Sequence, residues 1–127
     1  VKKTGVDTIA AAIGTAHGVF SNEDIKIDLL LKIREATKIP FVLHGGSGVD
    51  PEKIKEAIKH GVSIINIGTD IKVAFTDALK KSCAEHPDET DPRKLLAPTI
   101  QAVADVTVKQ MELFGSAGQY FVEEVET

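Results

Sequence analysis

Three short stretches hold the residues best suited to chemistry: "GTAHG" with His17, "LHGGSG" with His44, and "NIGTD" with Asn66. Each follows an apolar run, and each surrounds one polar group with small residues. An imidazole nitrogen is an ordinary Zn²⁺ ligand at about 2.0–2.1 Å, and catalytic zinc usually takes three protein ligands plus an open position. His17 and His44 are therefore a candidate metal pair, but an incomplete set. The competing reading is two loop histidines satisfied by backbone groups. His60 and His86 fall at the carboxyl ends of helical patterns, where a favourable terminal charge or simple solvation explains them.

The stretch from 44 to 48 is also a glycine-rich turn placed just before a helix start at Asp50. Glycines let backbone amides approach an anion, and a helix amino end favours phosphate. The lysine of a P-loop is missing. "NIGTD" supplies a second set of amides and the Thr69 hydroxyl, again ahead of a helix. Two successive turns of this kind point to a phosphate site more strongly than either one.

The elements that must position these residues follow from pattern and punctuation. Residues 6–14, 41–44 and 62–68 are short apolar runs of the kind found in strands buried on both faces. Helices are expected over 27–38, 51–60 and 69–86, and over about 92–114. Asp50–Pro51 and Asp91–Pro92 are cap-plus-proline starts, Gly61 is a stop, and Thr69 or Asp70 is the expected cap of the third helix. Pro98 should kink or restart the last helix. Strands alternating with helices imply βαβ units and a parallel α/β sheet. In such sheets ligands bind at the carboxyl ends of the strands, where His17, His44 and Asn66 all lie. Neighbouring strands are about 4.8 Å apart, so groups at matching heights converge.

Composition sets the outer limits. The chain has 127 residues, 43% of them hydrophobic and 27% charged, with a formal net charge of -4, as in an ordinary globular domain. An acidic balance gives no electrostatic footprint for nucleic acid. No apolar stretch reaches the length of a membrane span. Cys83 stands alone in a helical pattern, a packed or bystander thiol, and nothing suggests an oxidising compartment. A cytoplasmic location is expected. The opening "VKKTGVD" reads as a helix end followed by a glycine stop, which suggests that a preceding part is missing.

Together, "AIGTAHG", "FVLHGGSG", "INIGTD" and "LFGSAG" resemble the carboxyl-terminal part of the class II, metal-dependent fructose-bisphosphate aldolases, and equally of the related tagatose-bisphosphate aldolases. The resemblance covers essentially the whole chain, in the right order. It implies an eight-stranded (β/α) TIM barrel, of which residues 1–127 would be the last three βα units plus carboxyl-terminal helices. It implies that His17 and His44 are two of three histidines holding Zn²⁺ or another divalent metal. Gly18 would lie against the dihydroxyacetone phosphate moiety. Gly45, Gly46 and Ser47 would form one wall of a phosphate site, often with a monovalent cation (Na⁺ or K⁺). Asn66 would contact substrate near the reacting carbons, and Ile67, Gly68 and Thr69 would form the second phosphate loop. The family's catalytic acid/base aspartate and third histidine belong to an earlier strand, so no catalytic residue is assigned here.

The implied reaction is reversible cleavage of fructose 1,6-bisphosphate, or its tagatose epimer, to dihydroxyacetone phosphate and glyceraldehyde 3-phosphate by a homo-oligomer (dimer or tetramer). One departure is Ile64, where many members carry lysine; by strand alternation it shares a face with Asn66. Two other readings stand beside this one. The 127 residues alone would be a phosphate-binding segment without catalysis, or a barrel segment with no activity of its own.

Overall fold

The computed structural model describes residues 1–15 and 24–119. Its elements run α1 (Ile27–Thr37), β1 (Phe41–His44), α2 (Pro51–Lys59), β2 (Val62–Asn66), α3 (Thr69–Glu85) and α4 (Pro92–Phe114). The strands β1 and β2 pair in parallel, with Val42 opposite Ile64, Leu43 opposite Ile65 and His44 opposite Asn66. The helix α2 connects them, so the centre of the described chain is one βαβ unit.

Local chemistry explains the helix ends. The Asp50 carboxylate accepts the Glu52 N–H at 2.8 Å and Pro51 opens α2. Asp91 does the same for α4, accepting from the Arg93 N–H at 2.9 Å. At the far end of α4, Gly115 takes a left-handed conformation (φ 72°), and the Gly115 and Ser116 amides donate to the Glu112 and Met111 carbonyls. Those two bonds make a Schellman closure, which halts the helix. The helix runs through Pro98 without restarting.

The first apolar run departs from expectation. Among the described residues, pairing is confined to a single parallel bridge between Ile9 and Phe41. Ile9 donates to the Pro40 carbonyl at 3.1 Å, and its own carbonyl accepts from Val42 at 2.8 Å. Beyond it, Ala10, Ala11 and Ala12 are exposed. Alanine is a poor strand former, and no other described strand flanks the segment on its open side, so the ladder does not extend. Ile13 is fully buried nonetheless, and its carbonyl accepts from the Lys26 N–H at 2.8 Å.

The core gathers between the sheet and α1 and α2: Ile13, Ile25, Leu30, Phe41, Leu43, Val49, Ile54, Ala57 and Val62 are buried together. Leu43 and Ile65 thus lie toward the helices, while Val42, His44, Ile64 and Asn66 share the opposite face. That face is open, with Ile64 44% exposed. The helices α3 and α4 pack against each other, but Leu96, Ile100, Val108 and Met111 of α4 remain exposed. Cys83 is exposed as well, not packed. No described helix is long and apolar enough to cross a membrane.

Candidate active site

His44 ends β1, Asn66 ends β2, and the two are register partners. Their side chains meet, with Asn66 Nδ2 and His44 Nε2 3.5 Å apart. Nδ2 can donate only when Nε2 presents its lone pair, which places the ring proton on Nδ1. A metal ion at Nε2 would take that same lone pair and displace the Asn66 amide, so the contact sets the two side chains side by side at the sheet end. Beside them, Thr15 Oγ1 donates to the His44 carbonyl at 2.6 Å. The hydroxyl thereby pins the first segment to the end of β1, two residues before His17. His17 and Gly18 themselves lie outside the described residues. Among the described residues, no three potential metal ligands come together.

Past His44 the chain enters the glycine loop, where Gly45 adopts φ 71° and Gly48 φ 84°, conformations that side chains disfavour. Gly45, Gly46 and Ser47 are all buried. A Cβ on Gly46 would meet Ile67 Cδ1 at 3.1 Å and Ile65 Cγ2 at 3.2 Å. The loop after β1 therefore rests directly on the residues that end β2. Because Ile67 turns its side chain toward Gly46, only its backbone is left to line the site.

The second loop closes the arrangement. Neither Thr69 nor Asp70 caps α3: Gly68 occupies the cap position and no side chain of the cap bonds the first turn. The partner comes from the other loop instead, because Ser47 Oγ accepts the Asp70 N–H at 3.3 Å. Ser47 is only 4% exposed, so this hydroxyl ties the two loops together. Its own proton remains available to donate, beside the first-turn amides of α3, which lack intrahelical partners. At Gly68 an added Cβ would meet nothing within 4 Å, so the space in front of the second loop is open.

Ile64 stands one alternation below Asn66 on this face and places an apolar side chain there. Thr15 also reaches the site, Asp70 does so through its backbone N–H rather than as a cap, and Gln110 reaches Asp70 from α4; sequence reasoning gave none of these contacts. Gln110 Nε2 donates to Asp70 Oδ2 at 2.7 Å across 40 residues, a pairing that no local spacing announces. Thr15 sits inside "GTAHG", so its motif carried a signal.

Comparison with known proteins gives the family of the chain. The family model described as "Fructose-bisphosphate aldolase class-II" matches residues 1–119. The chain belongs to that family. It is 41% identical over 120 residues to a fructose-bisphosphate aldolase of Geobacillus stearothermophilus, a match covering 94% of this chain and 42% of that protein. Among solved structures, the YdjI aldolase of Escherichia coli K12 superposes with a TM-score of 0.75 at 30% identity, covering 93% of this chain and 42% of that one. The fructose-bisphosphate aldolase of Campylobacter jejuni gives 0.69 at 25% identity, covering 86% and 40%. The chain thus spans about two fifths of the length of these relatives, and its fold is a portion of their α/β barrel. Val42, His44, Ile64 and Asn66 lie on the sheet face that the chain's own core does not cover.

Proposed function

We propose that the protein carrying this chain is a metal-dependent aldolase that cleaves fructose 1,6-bisphosphate to dihydroxyacetone phosphate and glyceraldehyde 3-phosphate. The observation that carries the reading is the meeting of His44 and Asn66 at the sheet end beside two glycine loops joined by Ser47, within a chain of this family. His44, with His17, would hold Zn²⁺ or another divalent metal. When bound, such an ion acts as a Lewis acid on the substrate ketone and offsets the charge that builds on its oxygen.

The chain's own residues supply binding and orientation. Gly45, Gly46 and Ser47 on one side and Ile67, Gly68 and Thr69 on the other bind a phosphate through amides and hydroxyls, together with a monovalent cation (Na⁺ or K⁺). Gly18 leaves room for the triose beside them. That remote phosphate grip orients the carbon chain, and orientation of this kind contributes several kcal/mol, on the order of 7 or more, to the barrier reduction. Asn66, beside the His44 ring, would face the carbons between which the bond breaks. No residue of this chain is assigned the proton transfer. A cytoplasmic homo-oligomer, dimer or tetramer, belongs to the same reading.

Metal analysis tests the ligand assignment directly. Purified wild-type protein should hold zinc close to one per chain and cleave fructose 1,6-bisphosphate faster than the tagatose epimer. His44→Ala and His17→Ala should each lose both metal and turnover. Full zinc content and activity in either variant contradict the assignment, and faster turnover of the epimer contradicts the choice of sugar.

A further inference from the structure

Asp70 poses an electrostatic problem for a phosphate site. It occupies the first turn of α3, where a helix amino end stabilises a carboxylate. An anionic ligand seeks the same first-turn amides, so an untethered Asp70 side chain would compete with it. The backbone of Asp70 is fixed on the loop side, since its N–H goes to Ser47 Oγ at 3.3 Å. Its side chain is drawn the other way, because Oδ2 accepts from Gln110 Nε2 at 2.7 Å. Gln110 is anchored on the helix side of the sheet, lining an apolar groove with Ile65, Ile67, Ile71, Met111 and Phe114.

We propose that Gln110 is a positioning residue for the phosphate site. It holds the Asp70 carboxylate against α4, which keeps a negative charge off the Ser47 loop and fixes the turn at 67–69. The proposal rests on the reading that these two loops bind the substrate's phosphate. Gln110 touches no substrate; it acts through Asp70.

The test compares Gln110→Glu, Gln110→Met and the exchanged pair Asp70→Asn/Gln110→Glu with wild type, each checked for a wild-type circular dichroism spectrum. Two readouts are taken: KM and kcat for fructose 1,6-bisphosphate, and binding of inorganic phosphate followed by ³¹P NMR. Gln110→Glu opposes two carboxylates and should raise KM, and weaken phosphate binding, by about 10-fold, with kcat within about 2-fold. Gln110→Met removes the donor without adding charge and should shift both in the same direction by about 3-fold. The exchanged pair restores one acid and one amide, with the acid on α4, and should return KM to within about 2-fold of wild type. If Gln110→Glu fails to fold, Gln110→Met decides. Unchanged KM and phosphate binding in the folded Gln110 variants overturn the proposal, as does an equal loss of kcat that the exchanged pair fails to repair. Wild-type protein that binds no phosphate overturns the phosphate-loop reading itself, whereas normal wild-type binding with indifferent Gln110 variants overturns this inference alone.

Discussion

Adding one methyl group at Gly46 should strain the contact between the loop after β1 and the residues at the end of β2. The new Cβ would lie 3.1 Å from Ile67 Cδ1 and 3.2 Å from Ile65 Cγ2, against an optimal carbon–carbon separation of about 3.5–4.0 Å. Ile54 Cδ1 at 3.8 Å closes the third side, so the Ile65 and Ile67 side chains must yield by a few tenths of an ångström to admit the methyl. Overpacking of this size costs about 1–3 kcal/mol. Two contacts a few tenths of an ångström too short place Gly46→Ala in the lower half of that range, about 1–2 kcal/mol. Urea unfolding followed by circular dichroism measures this. Steady-state kinetics should show KM for the bisphosphate rising more than kcat falls, because the loop is displaced while His44 and Asn66 stay paired. Ile67→Val removes the atom in the tighter contact, so the double variant should be more stable than the sum of the two single changes predicts, by at least about 0.5 kcal/mol. A stability-neutral Gly46→Ala, or strict additivity with Ile67→Val, would refute the packing argument.

Three further outcomes follow from other contacts. Asp50→Ala removes the side-chain cap of α2 and should destabilise by about 1 kcal/mol in urea unfolding; a change near zero contradicts the cap's role. The Lys94 ammonium holds the Glu89 carboxyl below its usual value, and the Arg93 guanidinium does the same for Asp91. Both folded-state values are depressed, so their support for the start of α4 is present at neutral pH and fades as the solution is acidified through the lowered values. NMR titration of the two carboxyls should give midpoints below 4.5 and 3.8 respectively, and midpoints at or above those values contradict the ion pairs. Finally, residues 1–127 expressed by themselves should show no bisphosphate cleavage, because on the proposed reading His17 and His44 are only two of three metal-binding histidines; turnover by that polypeptide contradicts the account.

What the sequence made legible was mostly local. Asp50–Pro51, Gly61 and Asp91–Pro92 each act within a turn or two of their own position, and the helices they bound fall within one or two residues of expectation. The runs ending at His44 and Asn66 are strands whose ends lie opposite each other, as apolar patterning and strand spacing suggested. The misreadings have non-local causes. Residues 6–14 look like a strand by hydrophobicity, yet a strand exists only where a partner extends the ladder, and here that happens at Ile9 alone. The cap of α3 was sought in Thr69 or Asp70, whereas the hydroxyl that bonds the first turn belongs to Ser47 on the neighbouring loop. The Gln110 contact to Asp70 spans two helices and follows no periodicity. Of the motifs that carried the family resemblance, "FVLHGGSG" and "INIGTD" stand at the ends of β1 and β2, and "LFGSAG" at the end of α4.

Metal dependence of turnover tests the central claim most directly. The cleavage rate of fructose 1,6-bisphosphate should fall to background when the purified protein is stripped with a chelator, and return on addition of stoichiometric Zn²⁺. Cleavage that persists through complete removal of metal, or its absence from fully zinc-loaded protein, would contradict the account.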